Sequence, residues 1–535
     1  MNESAAPRPD RHCFAAVDVG ASSGRVILAT VGAPQPAGGG PGGMHDGRMR
    51  DGARHDAPTN DGAPKVALDV VHRFPNGVID DGVTSDGAHV LRWDLPGIFA
   101  EVQTGLAKAH DAAAARGLRI ESIGIDTWAV DYGLVDSAGR LKEPVFSYRD
   151  GRTEAAIPVV HAKAAPERLY GVNGLQFLPF TTLYQLAAEP RLDGYEALLI
   201  PDLLAFWLTG ARRTEETNAS TTGLLDARTG TWSRELFEAL GFPEALFPEL
   251  IAPGETYGTL LPAVAERTGL PEGTPVVAVG SHDTASAVAA VPAAPGGGSP
   301  GEEVAYISSG TWSLVGVELD APVLTDASRA ANFTNERGVD GTIRYLRNVG
   351  GLWLLSESQR QWAAEGRESS LEVLLAAAAA LPAGGPQIDV DSEEFIAPGG
   401  MPERIHAAAA RAGASGGSHP SAGDVLADEP GAVVRCILDS LAAAYARTIA
   451  RAAQLSGRRP QVVHVVGGGS QNELLCRLTA DATGLPVIAG PVEATALGNV
   501  LVQARAAGAL DGGLVALRAA VRASVELREY VPAAV

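Results

Sequence analysis

Five short stretches of the chain carry side chains suited to phosphate and hydroxyl chemistry. Asp18-Val19-Gly20-Ala21-Ser22-Ser23-Gly24-Arg25 sets an acid at the end of an apolar run, beside small residues whose amides can approach a phosphate closely. Ser308-Ser309-Gly310-Thr311-Trp312 repeats that pattern with more hydroxyls, and Gly467-Gly468-Gly469 supplies a third small-residue turn. In Gly280-Ser281-His282-Asp283-Thr284-Ala285 a carboxylate stands where a buried run meets a small-residue helix. In Ile125-Asp126-Thr127-Trp128-Ala129-Val130-Asp131-Tyr132 two acids flank a tryptophan, a combination used in polyol recognition. Phosphoryl transfer needs backbone N–H donors around phosphates, a carboxylate to hold hydrated Mg²⁺, and a carboxylate to accept the proton of the attacking hydroxyl. The chain offers all three.

Each stretch alone has a plainer reading. An Asp-x-Gly turn closes many ordinary hairpins, Asp283 suits a helix N-cap, and Asp126 and Asp131 suit a strand end around a core tryptophan. Their coexistence is what favours a nucleotide held between two halves. The four lysines (Lys65, Lys108, Lys142, Lys163) fall in no GxxxxGK[ST] pattern, so a P-loop is excluded and a nucleotide must be held another way.

The elements that must position these residues follow from periodicity. Cys13 to Val31 reads as strand, tight turn, strand. VALDVVHRF is a third strand, LPGIFAEVQTGLAKAHDAAAARG has helical spacing, and RIESIGIDTWAVDYGLVD returns to strand. That βββαβ order opens the ribonuclease-H-like unit of the actin and hexokinase superfamily. After a helix-rich stretch, TPVVAVGSHDTASAVAAV reads as strand into helix, AAPGGGSPGEE as a linker, and VAYISSGTWSLVGVEL as a second copy of the first hairpin. The expected fold is therefore α/β, with two duplicated ribonuclease-H-like domains and a cleft between them. Residues 1–12 are expected to be disordered, 13–292 to form the first domain with a low-complexity insertion at 33–64, 302–506 the second with an insertion at 411–424, and 507–535 a C-terminal extension.

A length of 535 residues suits two large domains, and 46% apolar with 20% charged residues is ordinary for a globular protein. The net charge of -21 argues against sequence-independent binding to nucleic acid or an anionic membrane. Cys13, Cys436 and Cys476 lack metal-ligand spacing and fit a reducing compartment, and no run approaches the ~18 apolar residues of a membrane span. The reading is of a cytoplasmic protein, monomer or small homo-oligomer, with small-molecule partners.

The segments AVDVGASSGR, IGIDTWAVDYGL, NGLQFLPFTTLYQL, GSHDTASAV, AYISSGTWSLVG, NFTNERG, LRNVGGLWLL and VVGGGSQNELLCRLTADATGLPVIAGPVEATALGN resemble, in order, those of the rhamnulokinases within the FGGY carbohydrate kinases. The resemblance implies transfer of the ATP γ-phosphoryl group to the C1 hydroxyl of L-rhamnulose, with ATP and Mg²⁺. It implies Asp283 as proton acceptor and His282 and Ala129 as sugar contacts, to which the acid and aromatic pattern adds Asp126 and Trp128. Ala21, Ser22, Ser23, Gly24, Arg25, Thr311, Asn348 and Gly468 match ATP contacts, and Asp18 matches the residue that organises the metal through water. The sequence departs from the family pattern at Ala129, where a Gly is usual, and at Ser356, where a Gln is usual; Ser356 is left out of the ATP set. The alternatives are another FGGY acceptor such as L-fuculose, ribulose or xylulose, or a non-catalytic ATP-binding sugar sensor.

Overall fold

The computed structural model describes residues 11–32, 62–83, 89–294, 303–382, 384–415 and 429–533. Two mixed sheets carry the fold. The first is built from β1 (Arg11–Val19), β2 (Ser23–Gly32), β3 (Lys65–Pro75), β4 (Ser122–Thr127), β5 (Thr256–Thr259) and β6 (Pro275–Val277), in the order β5-β6-β4-β1-β2-β3. The second comprises β7 (Glu303–Ser309), β8 (Trp312–Leu319), β9 (Thr334–Arg337), β10 (Ile343–Gly350), β11 (Pro460–Val466), β12 (Val487–Ala489) and β13 (Arg528–Tyr530), in the order β9-β10-β8-β7-β11-β12-β13. Each sheet starts with an antiparallel hairpin whose first strand pairs in parallel with a later strand, β1 with β4 and β7 with β11. The repeated hairpin thus opens two copies of one topology, as expected from the sequence.

Both faces of the central strands are buried, which is why they read as continuous apolar runs. On β1, Cys13, Ala15, Val17 and Val19 join the core under helix α1 (Leu95–Ala114), while Phe14 and Ala16 face the other way. That second face meets helices α2 (Asp283–Ala289) and α5 (Ala494–Ala506) and, beyond them, Tyr306 and Val466 of the second sheet, so the two halves share one apolar layer. The two helices touch closely: a Cβ on Gly498 would lie 1.9 Å from the Ser286 carbonyl oxygen. Helix α3 (Pro430–Ser456) and helix α4 (Glu473–Thr483) build the separate core of the second half.

Three expectations need correction. Residues 507–535 are no appendage: from helix α6 (Leu514–Ser524) Arg518 Nη2 donates to Glu318 Oε2 (2.8 Å) and to the Val288 carbonyl (3.2 Å), Ser524 Oγ accepts Val66 N–H (2.8 Å), and β13 completes the second sheet on β12. Residues 411–415 end a helix spanning Met401–Ser415, because the run IHAAAARA has high helix propensity and carries the helix past the expected boundary. Arg11 and His12 already belong to β1, paired with Gly32 and Val31. Residues 1–10, 33–61 and 416–424 lie outside the described residues. Among the described residues no helix is long and apolar enough to cross a membrane, and all three cysteines are buried.

Candidate active site

Strand parity places the first acid. Asp18 shares a face with Phe14 and Ala16, toward the shared layer, and stands directly across from Arg25 on β2 and beside Asp126 on β4. Arg25 donates to Asp18 Oδ2 from Nε (2.9 Å) and Nη2 (2.6 Å), and its Nη1 pairs with Glu493 just before α5. The turn between them is closed by Gly20 N–H to the Ser23 carbonyl at 2.9 Å. Burial raises the Asp18 pKa; Asp283 and Glu493 add to the rise and Arg25 opposes it. Asp126 is pushed well above the usual carboxylate range by burial and then by Asp18. These carboxylates form a crowded acidic end to the first sheet, which a cation would relieve.

The corner carrying Asp283 is held from below. Glu215, fully buried, accepts from Ser281 N (3.1 Å), Ser281 Oγ (2.7 Å), Thr217 N (2.8 Å) and Oγ1 (2.6 Å), and Asn218 N (3.1 Å). His282 is the N-cap of α2 and makes no side-chain cap bond. Asp283 follows at the first helical position, takes Thr284 Oγ1 at 3.0 Å, and turns its carboxylate into the cleft instead of capping the helix.

A cavity of about 500 Å³ gathers these pieces. Its walls include Asp18, Ala21, Ser23 and Arg25 from the first hairpin, and Ser308, Ser309, Gly310 and Thr311 from the second. Trp128 and Ala129, His282 and Asp283, Asn348, and Gly467 with Gly468 complete them. The second turn is closed like the first, by Gly310 N–H to the Trp312 carbonyl at 2.9 Å. The glycines after β11 are demanded by packing. Gly467 has φ +83°, and a Cβ there would lie 2.9 Å from the Ser309 carbonyl; one on Gly469 would lie 2.0 Å from Ser309 Oγ.

Not every expected contact reaches the cavity. Ser22 is exposed and off its wall, and Gly24 is a packing residue, since a Cβ there would fall 2.1 Å from the Phe74 ring. Asp126 is corrected from sugar contact to buried support: it is 0% exposed, its Oδ2 accepts Asn499 Nδ2 at 2.6 Å, and its Oδ1 has no hydrogen-bond partner among the described residues. The parallel pairing that sets it beside Asp18 also turns it toward α5. Asn348 lines the cavity, with its backbone N–H (2.9 Å) and side-chain amide (3.2 Å) both given to Gln176 Oε1.

Asp131 orients the tryptophan. Its Oδ2 accepts Trp93 Nε1 (2.7 Å), Trp128 Nε1 (3.0 Å) and Tyr148 N (3.1 Å), and its Oδ1 accepts Gln185 Nε2 (2.9 Å). Burial lifts its pKa to about 6 against those donors. Val130 sits at φ +68°, a costly conformation for a β-branched residue, held by Thr182 Oγ1 on its carbonyl at 2.7 Å. Trp128, Ala129 and Val130 all line the cavity.

Residues without a role in the sequence reading also line the cavity, notably Glu336, Glu493 and Arg73. Glu336 falls within the segment NFTNERG, so proximity to a quoted motif was its only signal. Among the described residues no group of three or more His, Cys, Asp or Glu is set to hold a metal.

The model of the FGGY family of carbohydrate kinases, N-terminal domain, matches residues 83–290, and that of the C-terminal domain matches residues 305–507. A rhamnulokinase of Bacteroides thetaiotaomicron is 37% identical over 97% of this chain and 96% of its own. A rhamnulokinase of Klebsiella pneumoniae subsp. pneumoniae is 39% identical over 98% and 95%. Solved structures share the fold: a gluconate kinase from Lactobacillus acidophilus (TM-score 0.70, 13% identity, covering 98% of this chain and 94% of that one) and a xylulose kinase from the same organism (0.70, 14%, 97% and 94%). With both domains matched and near full-length relatives above a third identical, the chain belongs to the FGGY family of carbohydrate kinases.

Proposed function

We propose that the chain transfers the γ-phosphoryl group of ATP to the C1 hydroxyl of L-rhamnulose, giving L-rhamnulose 1-phosphate and ADP in cytoplasmic L-rhamnose breakdown. One observation carries the reading: the Asp283 carboxylate opens into the same cavity as both hairpin turns and the Gly467–Gly468 turn. The name of the relatives supplies the acceptor.

The proposed sugar-side domain is 13–292, with its first strand beginning at Arg11, and the proposed nucleotide-side domain is 302–506, with Arg528–Tyr530 completing its sheet. Trp128, Ala129 and His282 receive the sugar; Ala21, Ser23, Arg25, Thr311, Asn348 and Gly468 receive ATP. Asp283 takes the proton of the C1 hydroxyl as its oxygen bonds to the γ-phosphorus, the bond from that phosphorus to the β,γ-bridging oxygen breaks, and ADP departs. With the Gly20 and Gly310 amides closing their turns, the amides of Ala21, Ser23 and Thr311 are the ones offered where charge gathers on the phosphates. The site suits hydrated Mg²⁺, because Asp18 and Asp126 form a buried acidic pair with an unpartnered oxygen and Mg²⁺ needs only one or two protein carboxylates beside phosphate and water. Asp18 would hold the ion through water, and the ion would neutralise phosphate charge.

The test is ADP release with MgATP across L-rhamnulose, L-fuculose, L-ribulose, L-xylulose, D-xylulose and glycerol, ranked by kcat/KM. Highest kcat/KM for L-rhamnulose is expected. Preference for another ketose would keep the Asp283 chemistry and discard the acceptor, and no turnover with any would bring forward a non-catalytic sensor.

A further inference from the structure

Behind His282 lies a buried pair of charges from the other half of the molecule. Arg344 on β10 is 0% exposed and Glu336 on β9 is 5% exposed. Arg344 Nη1 stands 3.1 Å from Glu336 Oε2, and its Nε donates to the Arg337 carbonyl at 3.0 Å. Its Nη2 lies 3.2 Å from His282 Nδ1, while Glu336 Oε2 is 3.4 Å from the same nitrogen. The other ring nitrogen, Nε2, is 3.5 Å from Asp283 Oδ1 on the cavity side.

A guanidinium only donates and an ionised carboxylate only accepts, so the two neighbours make opposite demands on Nδ1. Arg344 is the nearer and is within hydrogen-bond range, whereas Glu336 is already facing the guanidinium. Nδ1 therefore accepts, and the ring proton is left on Nε2.

We infer that Arg344 and Glu336 are positioning residues that fix His282 in the tautomer presenting an Nε2–H donor to the sugar. Glu336 supplies the countercharge that keeps Arg344 buried beside the ring. The consequence is a complementary pair on the substrate: Asp283 accepts from the reacting hydroxyl, and His282 donates to a neighbouring sugar oxygen. Because β9 and β10 belong to the nucleotide-side half, the donor is set only when the two halves are apposed. Sugar recognition is in this way conditional on the position of the nucleotide-side strands. The substrate part of this inference rests on the proposed sugar site; the tautomer itself does not.

The ring nitrogens of the full-length protein, labelled with ¹⁵N-histidine, are read by NMR, with His282 assigned by its loss in His282→Asn. A protonated Nε2 and bare Nδ1 are expected in the wild type. Arg344→Met removes the donor and frees Glu336 to accept, so the proton should move to Nδ1, and the KM for the sugar should rise about tenfold with the KM for ATP unchanged. Glu336→Gln keeps an acceptor near Arg344 and should raise the sugar KM less. A wild-type proton on Nδ1 overturns the inference, as does an Arg344→Met protein that is folded and keeps its sugar KM. Should Arg344→Met not fold, the wild-type spectrum decides alone. A wild type that phosphorylates no sugar sinks the proposed function, while the spectrum still decides the tautomer.

Discussion

The two hairpins that face each other across the cavity share their strand pairing, the first turn being one residue longer, and are opposites in chemistry. In both, a glycine amide closes the turn at 2.9 Å, Gly20 to Ser23 and Gly310 to Trp312. In both, the last inward-facing residue of the first strand has a direct partner on the second. In the first hairpin that pair is Asp18 and Arg25; in the second it is Ser308 and Leu314. The duplication therefore supplied two amide cradles, and the side chains diverged so that the charged work sits on one side. On this reading the proposed metal-organising acid Asp18 and proton acceptor Asp283 belong to the first half, and the turn of the second hairpin offers only neutral amides and hydroxyls. Phosphate between them is therefore proposed to be gripped from both sides but polarised from one.

The largest break in this asymmetry is Asp283→Asn. If chemistry is concentrated in the first half, kcat should fall about a thousandfold with both KM values near their original levels. Steady-state kinetics with separately varied sugar and ATP would check this, and near-normal kcat would remove Asp283 from its role. Next comes Asp18→Asn, which leaves Arg25 paired with Glu493 alone. A drop of about a hundredfold in kcat, partly recovered at high Mg²⁺, is expected for a residue that organises the ion through water. An unaltered Mg²⁺ titration would argue that the two hairpins are alike after all.

On the neutral side the expected effect is smaller and confined to the nucleotide. Gly467→Ala puts a methyl 2.9 Å from the Ser309 carbonyl at a φ of +83°, so the triple-glycine turn must back away from the second hairpin. The KM for ATP should rise about tenfold, a change of roughly 1.4 kcal/mol, while the sugar KM holds. If the sugar KM rises equally, the division of labour across the cavity is wrong.

How much of this was legible beforehand depends on sequence distance. The hairpins, the Asp283 corner and the glycine turn are local, and a few consecutive residues define each; they were readable. Asp126 was misread because one strand of period two offers two faces, and only its pairing with β1 and the Asn499 bond, 373 residues away, show which face it takes. The link between His282 and Arg344 spans 62 residues and two sheets, and no local spacing encodes it. The final strand was missed since β13 is three residues long and gains its place only from β12. Propensity carried the helix to Ser415, where low complexity suggested a loop.

The comparison extends one strand further and gives a prediction that leaves the chemistry untouched. On β4 the residue beside Ala16 is Gly124, which leaves room for Asn499 and Gln503 of α5. At the equivalent place on β11, beside Tyr306, stands His464, 3% exposed and with no partner for Nδ1 among the described residues. Burial, with the charges of Arg518 and Arg522, depresses its pKa to about 3 from 6.5. A depressed folded-state pKa means the contribution to stability is full above pH 6.5 and is lost as pH falls toward 3. At pH 5 the loss is about 2 kcal/mol, from 1.5 pH intervals at roughly 1.4 kcal/mol each. Denaturant unfolding at pH 7 and pH 5 should therefore show a steeper loss of stability in the wild type than in His464→Gln. Parallel losses would mean that the second half tolerates a charge at the position where the first keeps a glycine, and the contrast between the two sheets would end at the cavity.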